Sequence, residues 1–154
     1  MAPTASPAAT RRQTGDAAMA ARLRLSATRL ARILRRQADT GLSPSQLSAL
    51  ATVEIHGPMT LGALAEHENV APPSVTKVVN ILESQGLVGR EAAANDRRVA
   101  MVSITSDGSH LLEESRRRKN QWLAERLSHL EPEQRARLAD ALDVIEILTG
   151  VKQP

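Results

Sequence analysis

Apolar positions recur at helical spacing along most of this chain, and one short stretch departs from that pattern. Leu23, Ala27, Leu30 and Leu34 stand at i, i+4, i+7 and i+11, opposite Arg22, Arg29, Arg32 and Arg36. This predicts an amphipathic helix from about Asp16 to Asp39, broken by Thr40-Gly41. The segment "LSPSQL", 42–47, predicts a sharply started second helix. Ser43 can cap it, Pro44 suits its first position, Gln46 can close a capping box, and Leu42 and Leu47 are spaced for a hydrophobic staple. His56-Gly57-Pro58 ends it.

The stretch "TLGALAEHENVAPPSVTKVVNILESQGLV", 60–88, predicts two short helices joined by a tight turn. Thr60 can cap the first, which carries Leu61, Leu64 and Ala65 inward. Glu68-Asn69-Val70 makes a polar turn with Val70 as its buried anchor. Pro72-Pro73 opens the second helix, where a missing N–H is harmless, and Val75, Val78, Val79 and Leu82 form its buried face. Gly86 stops it. Two such helices and their turn form a helix-turn-helix pattern.

The exception to helical spacing follows, as "EAAANDRRVAMVSIT", 91–105. Leu87 and Val88 begin one strand. Val99, Met101, Val102 and Ile104 form a second with partial alternation, and Asn95-Asp96-Arg97-Arg98 makes the tip between them. A helix-turn-helix followed at once by a hairpin is a winged helix. Beyond it, residues from Thr105 to about His129 predict a long helix supported by Glu113–Arg117 and Glu114–Arg118 pairs. Pro132 starts a last helix with Leu138, Leu142, Ile145 and Leu148 in a stripe and Gly150 as its stop.

The fold class expected is therefore mainly α: a winged helix-turn-helix with a two-stranded β-wing over 43–105, flanked by helices over 16–40 and 106–149. Residues 1–15 read as a disordered N-terminal tail, rich in Ala, Pro, Ser and Thr. The terminal stripes hold more apolar surface than one thin subunit can hide. A second copy using the same helices would cover them, so a two-fold homodimer is expected.

Composition narrows the chemistry. The chain has 154 residues and is 42% hydrophobic but only 1% aromatic, so its core must be aliphatic. It has no cysteine, which excludes disulfides, thiolate metal sites and cysteine redox sensing. No apolar run approaches the roughly 18 residues that cross a bilayer, and the N-terminus lacks the apolar core of a secretory signal. A soluble cytoplasmic protein with no membrane partner is expected. The formal charge of +3 is compatible with nucleic acid without requiring it. Arginine outnumbers lysine, which suits bidentate phosphate and base contacts but equally reflects GC-rich codon usage. No nucleophile elbow, phosphate loop, HExxH or paired carboxylates are present. His56, His67, His110 and His129 form no HxH or HxxxH pair. The expectation is a protein that is not an enzyme and holds no cofactor or metal.

The order of helices, the 60–88 block, the "NDRR" tip and the "ITSDGSHLLEES" that follows it resemble the MarR family of bacterial transcription regulators. The resemblance covers roughly residues 16–149. It implies a dimeric winged-helix protein that binds a pseudo-palindromic operator, most often as a repressor, and answers to a small-molecule effector. The chain departs from the family's common pattern in its double proline at 72–73, in Ala92-Ala93-Ala94 where the wing often carries a proline, and in its scarcity of aromatic residues.

A recognition helix reads base edges from the exposed face near its N-terminus. Here that face offers Ser74, Thr76, Lys77 and Asn80. Lysine can donate to guanine, asparagine can pair with adenine, and Ser and Thr can meet phosphate or base; an ordinary solvated helix face is the bland alternative. A wing tip can enter the minor groove, whose negative potential attracts arginine. By the resemblance, Arg98 matches the tip arginine, with Asp96 as a loop brace and Arg97 within reach of phosphate. Arg90, at the base of the wing, matches a position that binds backbone or braces the wing. Thr60 and Ser74 stand at helix N-termini, which favour phosphate. The run 116–119, "RRRK", reads as a solvated helix face or as bracing between dimer halves. The partners expected are double-stranded DNA, a second copy of the chain and a small-molecule effector. The alternative is a winged helix used for non-specific DNA coating or protein–protein contact.

Overall fold

The computed structural model describes residues 7–38, 40–92 and 99–150, with backbone alone for 7–14. Among the described residues the order is α1 (Pro7–Ala38), α2 (Pro44–His56), β1 (Met59–Thr60), α3 (Leu61–Glu68), α4 (Pro72–Ser84), β2 (Val88–Ala92), β3 (Ala100–Ile104), α5 (Ser106–Ser128) and α6 (Pro132–Thr149). The α1 helix begins at Pro7 rather than near Asp16, and so takes in residues 7–15 that the sequence pattern assigned to the tail. Proline fits a first helical turn, and Ala8 and Ala9 after it are strong helix formers.

The caps explain where α2 and α3 start. Ser43 Oγ accepts from Gln46 N at 3.3 Å while Ser43 N donates to Gln46 Oε1 at 2.7 Å, a complete capping box. Thr60 Oγ1 accepts from Ala63 N at 3.1 Å. Gly57, at φ 73, takes the left-handed turn that ends α2. The α3–α4 turn differs from the sequence expectation. Val70 is 46% exposed and anchors nothing. Asn69 in the left-handed region (φ 52) reverses the chain, and hydrogen bonds from its N–H to Glu66 O and from Val70 N to Ala65 O, both 3.1 Å, close the turn through backbone alone.

The wing belongs to a three-stranded antiparallel sheet in the order β1-β3-β2. The short β1, which the sequence pattern did not predict, pairs Met59 with Val102 and Thr60 with Met101. β2 pairs with β3 so that Arg90 stands opposite Val102 and Ala92 opposite Ala100. Val102 is the fully buried residue of β3, while Met101 and Ile104 are half-buried.

The core lies inside the winged-helix body. Leu50 and Val53 from α2, Leu64 from α3, Val75, Val79 and Leu82 from α4, and Val88 and Val102 from the sheet pack into one aliphatic cluster. Leu112 joins the root of α5 to it. Thr105 locks that root: its hydroxyl donates to Gly86 O at 2.7 Å and accepts from Gly108 N at 3.1 Å, capping α5. Gly108 sits so near the chain at Leu87 that a Cβ there would collide with the Leu87 carbonyl and lie 2.8 Å from Ile104 Cγ1. The glycine of the "ITSDG" segment is thus required by close approach.

The terminal helices contrast with this. α1 packs along α5 but leaves Leu23, Leu25, Leu30 and Ile33 exposed. α6 buries no residue, and Leu142, Val144, Ile147 and Leu148 are all at least half exposed. On α5 the expected Glu113–Arg117 pair is replaced. Arg117 grips Glu114 with two hydrogen bonds, 2.9 and 2.7 Å, and Arg118 adds a third at 2.9 Å. The bidentate fork outcompetes a single i, i+4 contact. Arg116 pairs instead with Glu54 of α2.

Candidate nucleic-acid interface

The second helix of the helix-turn-helix, α4, divides cleanly. Val75, Val79 and Leu82 are buried, while Ser74, Lys77 and Asn80 are exposed and Thr76 is half-buried. The same apolar spacing that fixes the helix against the core therefore turns a polar strip outward. Ser74 and Lys77 pair with no other described residue through their side chains. Thr76 donates its hydroxyl hydrogen to Pro72 O at 3.1 Å, leaving its oxygen lone pairs and methyl to the outside.

The front of α4 is poor in backbone donors. Ala71 provides no side-chain cap. Pro72 and Pro73 have no N–H, and the next two, Ser74 N and Val75 N, both point to Ala71 O at 2.9 and 3.4 Å. An anion at this end would rely on the Ser74 hydroxyl rather than on the helix backbone. Thr60, at the front of α3, uses its oxygen to cap and keeps its own hydroxyl hydrogen free to donate.

Arg90 and Asn80, separate in the sequence, meet in the fold. Arg90 on β2 donates through Nη2 to Asn80 Oδ1 at 2.5 Å, and its Nε lies 3.4 Å from Glu83 Oε2. Of the two roles expected for Arg90, bracing is the one its contacts display: it ties the wing's first strand to α4. Glu83 is a residue the sequence reading missed. The one available signal was its i+3 spacing from Asn80 on the outer face of α4. Its carboxylate would repel phosphate, and the guanidinium beside it offsets that charge. Asp96, Arg97 and Arg98, expected at the wing tip, lie outside the described residues.

Other charged groups are engaged elsewhere. The three arginines of the "RRRK" run pair with Glu54 and Glu114 of the same subunit. Hydrogen bonds from Arg117 and then Arg118 hold the Glu114 carboxyl down at about 2, and the hydrogen bond to Glu54 raises Arg116 above its ordinary range. The rings of His56 and His67 touch, with centroids 4.3 Å apart. Among the described residues, no group of three or more His, Cys, Asp or Glu side chains is placed to hold a metal ion, and no helix is long and apolar enough to cross a membrane. A cleft of about 310 Å³ opens between α1, α2 and α5, lined by Arg35, Leu47, Ala51, Leu112, Ser115 and Lys119. Ser115 there is buried, with no partner for its Oγ among the described residues.

Comparison with known proteins places this geometry. A family model described as MarR family matches residues 42–100, the stretch holding α2 to the first residue of β3. An uncharacterized HTH-type transcriptional regulator of Mycobacterium leprae, ML2140, is 44% identical over 131 residues, covering 84% of this chain and 92% of that one. A crystal structure from Pseudomonas aeruginosa, described as a transcriptional regulator protein, superposes with a TM-score of 0.80 at 30% identity, covering 90% of this chain and 98% of that one. A mutant of Staphylococcus aureus MepR, bound to an oligodeoxyribonucleotide, has the same fold, with a TM-score of 0.68 at 17% identity, covering 87% of this chain and 98% of that one.

Proposed function

This chain belongs to the MarR family of winged-helix transcriptional regulators, and from that premise we propose that it is a ligand-responsive repressor acting as a homodimer on a pseudo-palindromic operator. The observation that carries the DNA-reading part is the outward polar strip of α4, Ser74, Lys77 and Asn80, set beside the Arg90-bearing strand of the wing. Each α4 would enter a major groove and each wing a neighbouring minor groove, with half-sites about one helical turn apart. Thr60 and Ser74 would meet phosphate, and Thr76, Lys77 and Asn80 base edges. At the wing tip, Arg98 would enter the minor groove, with Arg97 on phosphate and Asp96 bracing the loop.

The dimer is supported by the apolar surfaces of α1 and α6, which one subunit leaves bare. The division of labour proposed is 43–105 for DNA and 16–40 with 106–149 for pairing. An effector in the cleft between α1, α2 and α5 would act by binding the DNA-competent and DNA-incompetent dimers with different affinity.

Enrichment of DNA fragments by the purified chain tests the reading: a shared inverted repeat is expected, and recovery of unrelated fragments at physiological salt would sink it. On the enriched operator, Arg98→Ala should weaken binding by about 1–3 kcal/mol in a gel-shift titration. Unchanged affinity would remove Arg98 from the interface.

A further inference from the structure

One contact on the α4 face constrains which base it can read; the inference rests on the DNA-reading role proposed above. Arg90 Nη2 meets Asn80 Oδ1 at 2.5 Å, and Arg90 Nε lies 3.4 Å from Glu83 Oε2, an ion pair without a hydrogen bond. A guanidinium donates and never accepts, so the carboxamide end that faces it has to be the oxygen. Asn80 therefore turns its oxygen toward β2 and its NH2 group away from it. A free asparagine reads adenine by donating to N7 while accepting from N6. With the oxygen turned toward β2 and one of its two lone pairs taken by a charged donor, the end left to face a base is the NH2 group. What remains is a group with two N–H donors. Guanine presents two adjacent acceptors, O6 and N7, in the major groove, whereas adenine sets an amino group beside N7 and would oppose donor with donor.

We infer that Arg90 is a positioning residue that fixes Asn80 as a hydrogen-bond donor, so that Asn80 selects guanine over adenine at one base pair of each half-site. Glu83 adds the ion pair beside Arg90, and the two charges offset each other beside the phosphates. The lock joins strand to helix, so the base read by α4 depends on a residue of the wing that need not touch that base.

The test is enrichment of the full chain on a random DNA pool, with folding of each variant checked by circular dichroism. Wild type is expected to favour guanine over adenine by about tenfold at one position per half-site, the scale of a specific base contact. Asn80→Asp keeps a partner for Arg90 but replaces the NH2 with a second acceptor. It should shift that position toward cytosine, whose amino group donates. The double variant Arg90→Met, Glu83→Gln frees the carboxamide without leaving a bare carboxylate, and should shift the position toward adenine. If wild type enriches a motif and every base preference survives both variants, the inference is overturned while the DNA-reading role stands. If wild type enriches no motif, both are overturned.

Discussion

The winged-helix body and the terminal helices use the same aliphatic residues to opposite ends. In the body, Leu50, Leu64, Leu82, Val79 and Val102 have no exposed surface. In α6, Leu138, Leu142 and Leu148 of the stripe are 38–68% exposed although their spacing is as regular. The difference lies in what covers each stripe. α2, α3, α4 and the sheet close on one another within the chain, whereas among the described residues none of α6 is buried. Apolar periodicity identifies a face that needs covering; it does not say whether the cover comes from the same molecule.

That contrast can be broken from either side. The largest effect is expected from Leu64→Ala, which opens a cavity in a core complete within one chain and should cost about 2–5 kcal/mol in chemical denaturation. A loss below about 1 kcal/mol would mean the body is not closely packed there. Next comes Leu142→Ala on α6. If a second copy covers this face, the substitution counts twice across the two-fold axis, and the dimer should weaken by about 2 kcal/mol in sedimentation equilibrium. An unchanged association would place the dimer contact elsewhere. Thr105→Val removes both the α5 cap and the bond to Gly86 O, at about 1 kcal/mol. Thermal melts that match wild type would show the cap to be dispensable.

The smallest effect concerns pH. The Glu114 carboxyl, held near 2 instead of its ordinary 4.5 by Arg117 and Arg118, contributes stability that is fully present above about pH 4.5 and disappears as pH falls toward 2. Because the cluster is exposed, the contribution is slight. Melts of wild type and Glu114→Gln should differ at pH 6 and converge near pH 2; a difference that grows on acidification would contradict the assignment.

Much of this fold is legible from local chemistry. The Ser43–Gln46 box, the Thr60 cap, the glycine at 57 and the buried face of α4 all depend on residues within a few positions of one another. What escaped depends on distance or on backbone. The β1 strand is two residues long and exists only because β3 lies beside it. Val70 reads as an anchor because it is the one apolar residue in a polar turn, yet backbone hydrogen bonds close that turn unaided. Glu54 and Arg116 meet across two helices far apart in the chain. The face holding Ser74, Lys77 and Asn80 followed directly from the positions that are buried. Its tie to Arg90 did not, because nothing in the spacing of residues 80 and 90 fixes how a strand leaves the end of a helix.

The glycine at 108 has a mechanical consequence. Where α5 departs from the sheet, there is no room for even a methyl group, and one threonine fastens both sides of the joint. Such a joint behaves as a weld rather than a hinge. In the proposed dimer, any swing of one long helix against its twin would carry the blade attached to it through the same angle.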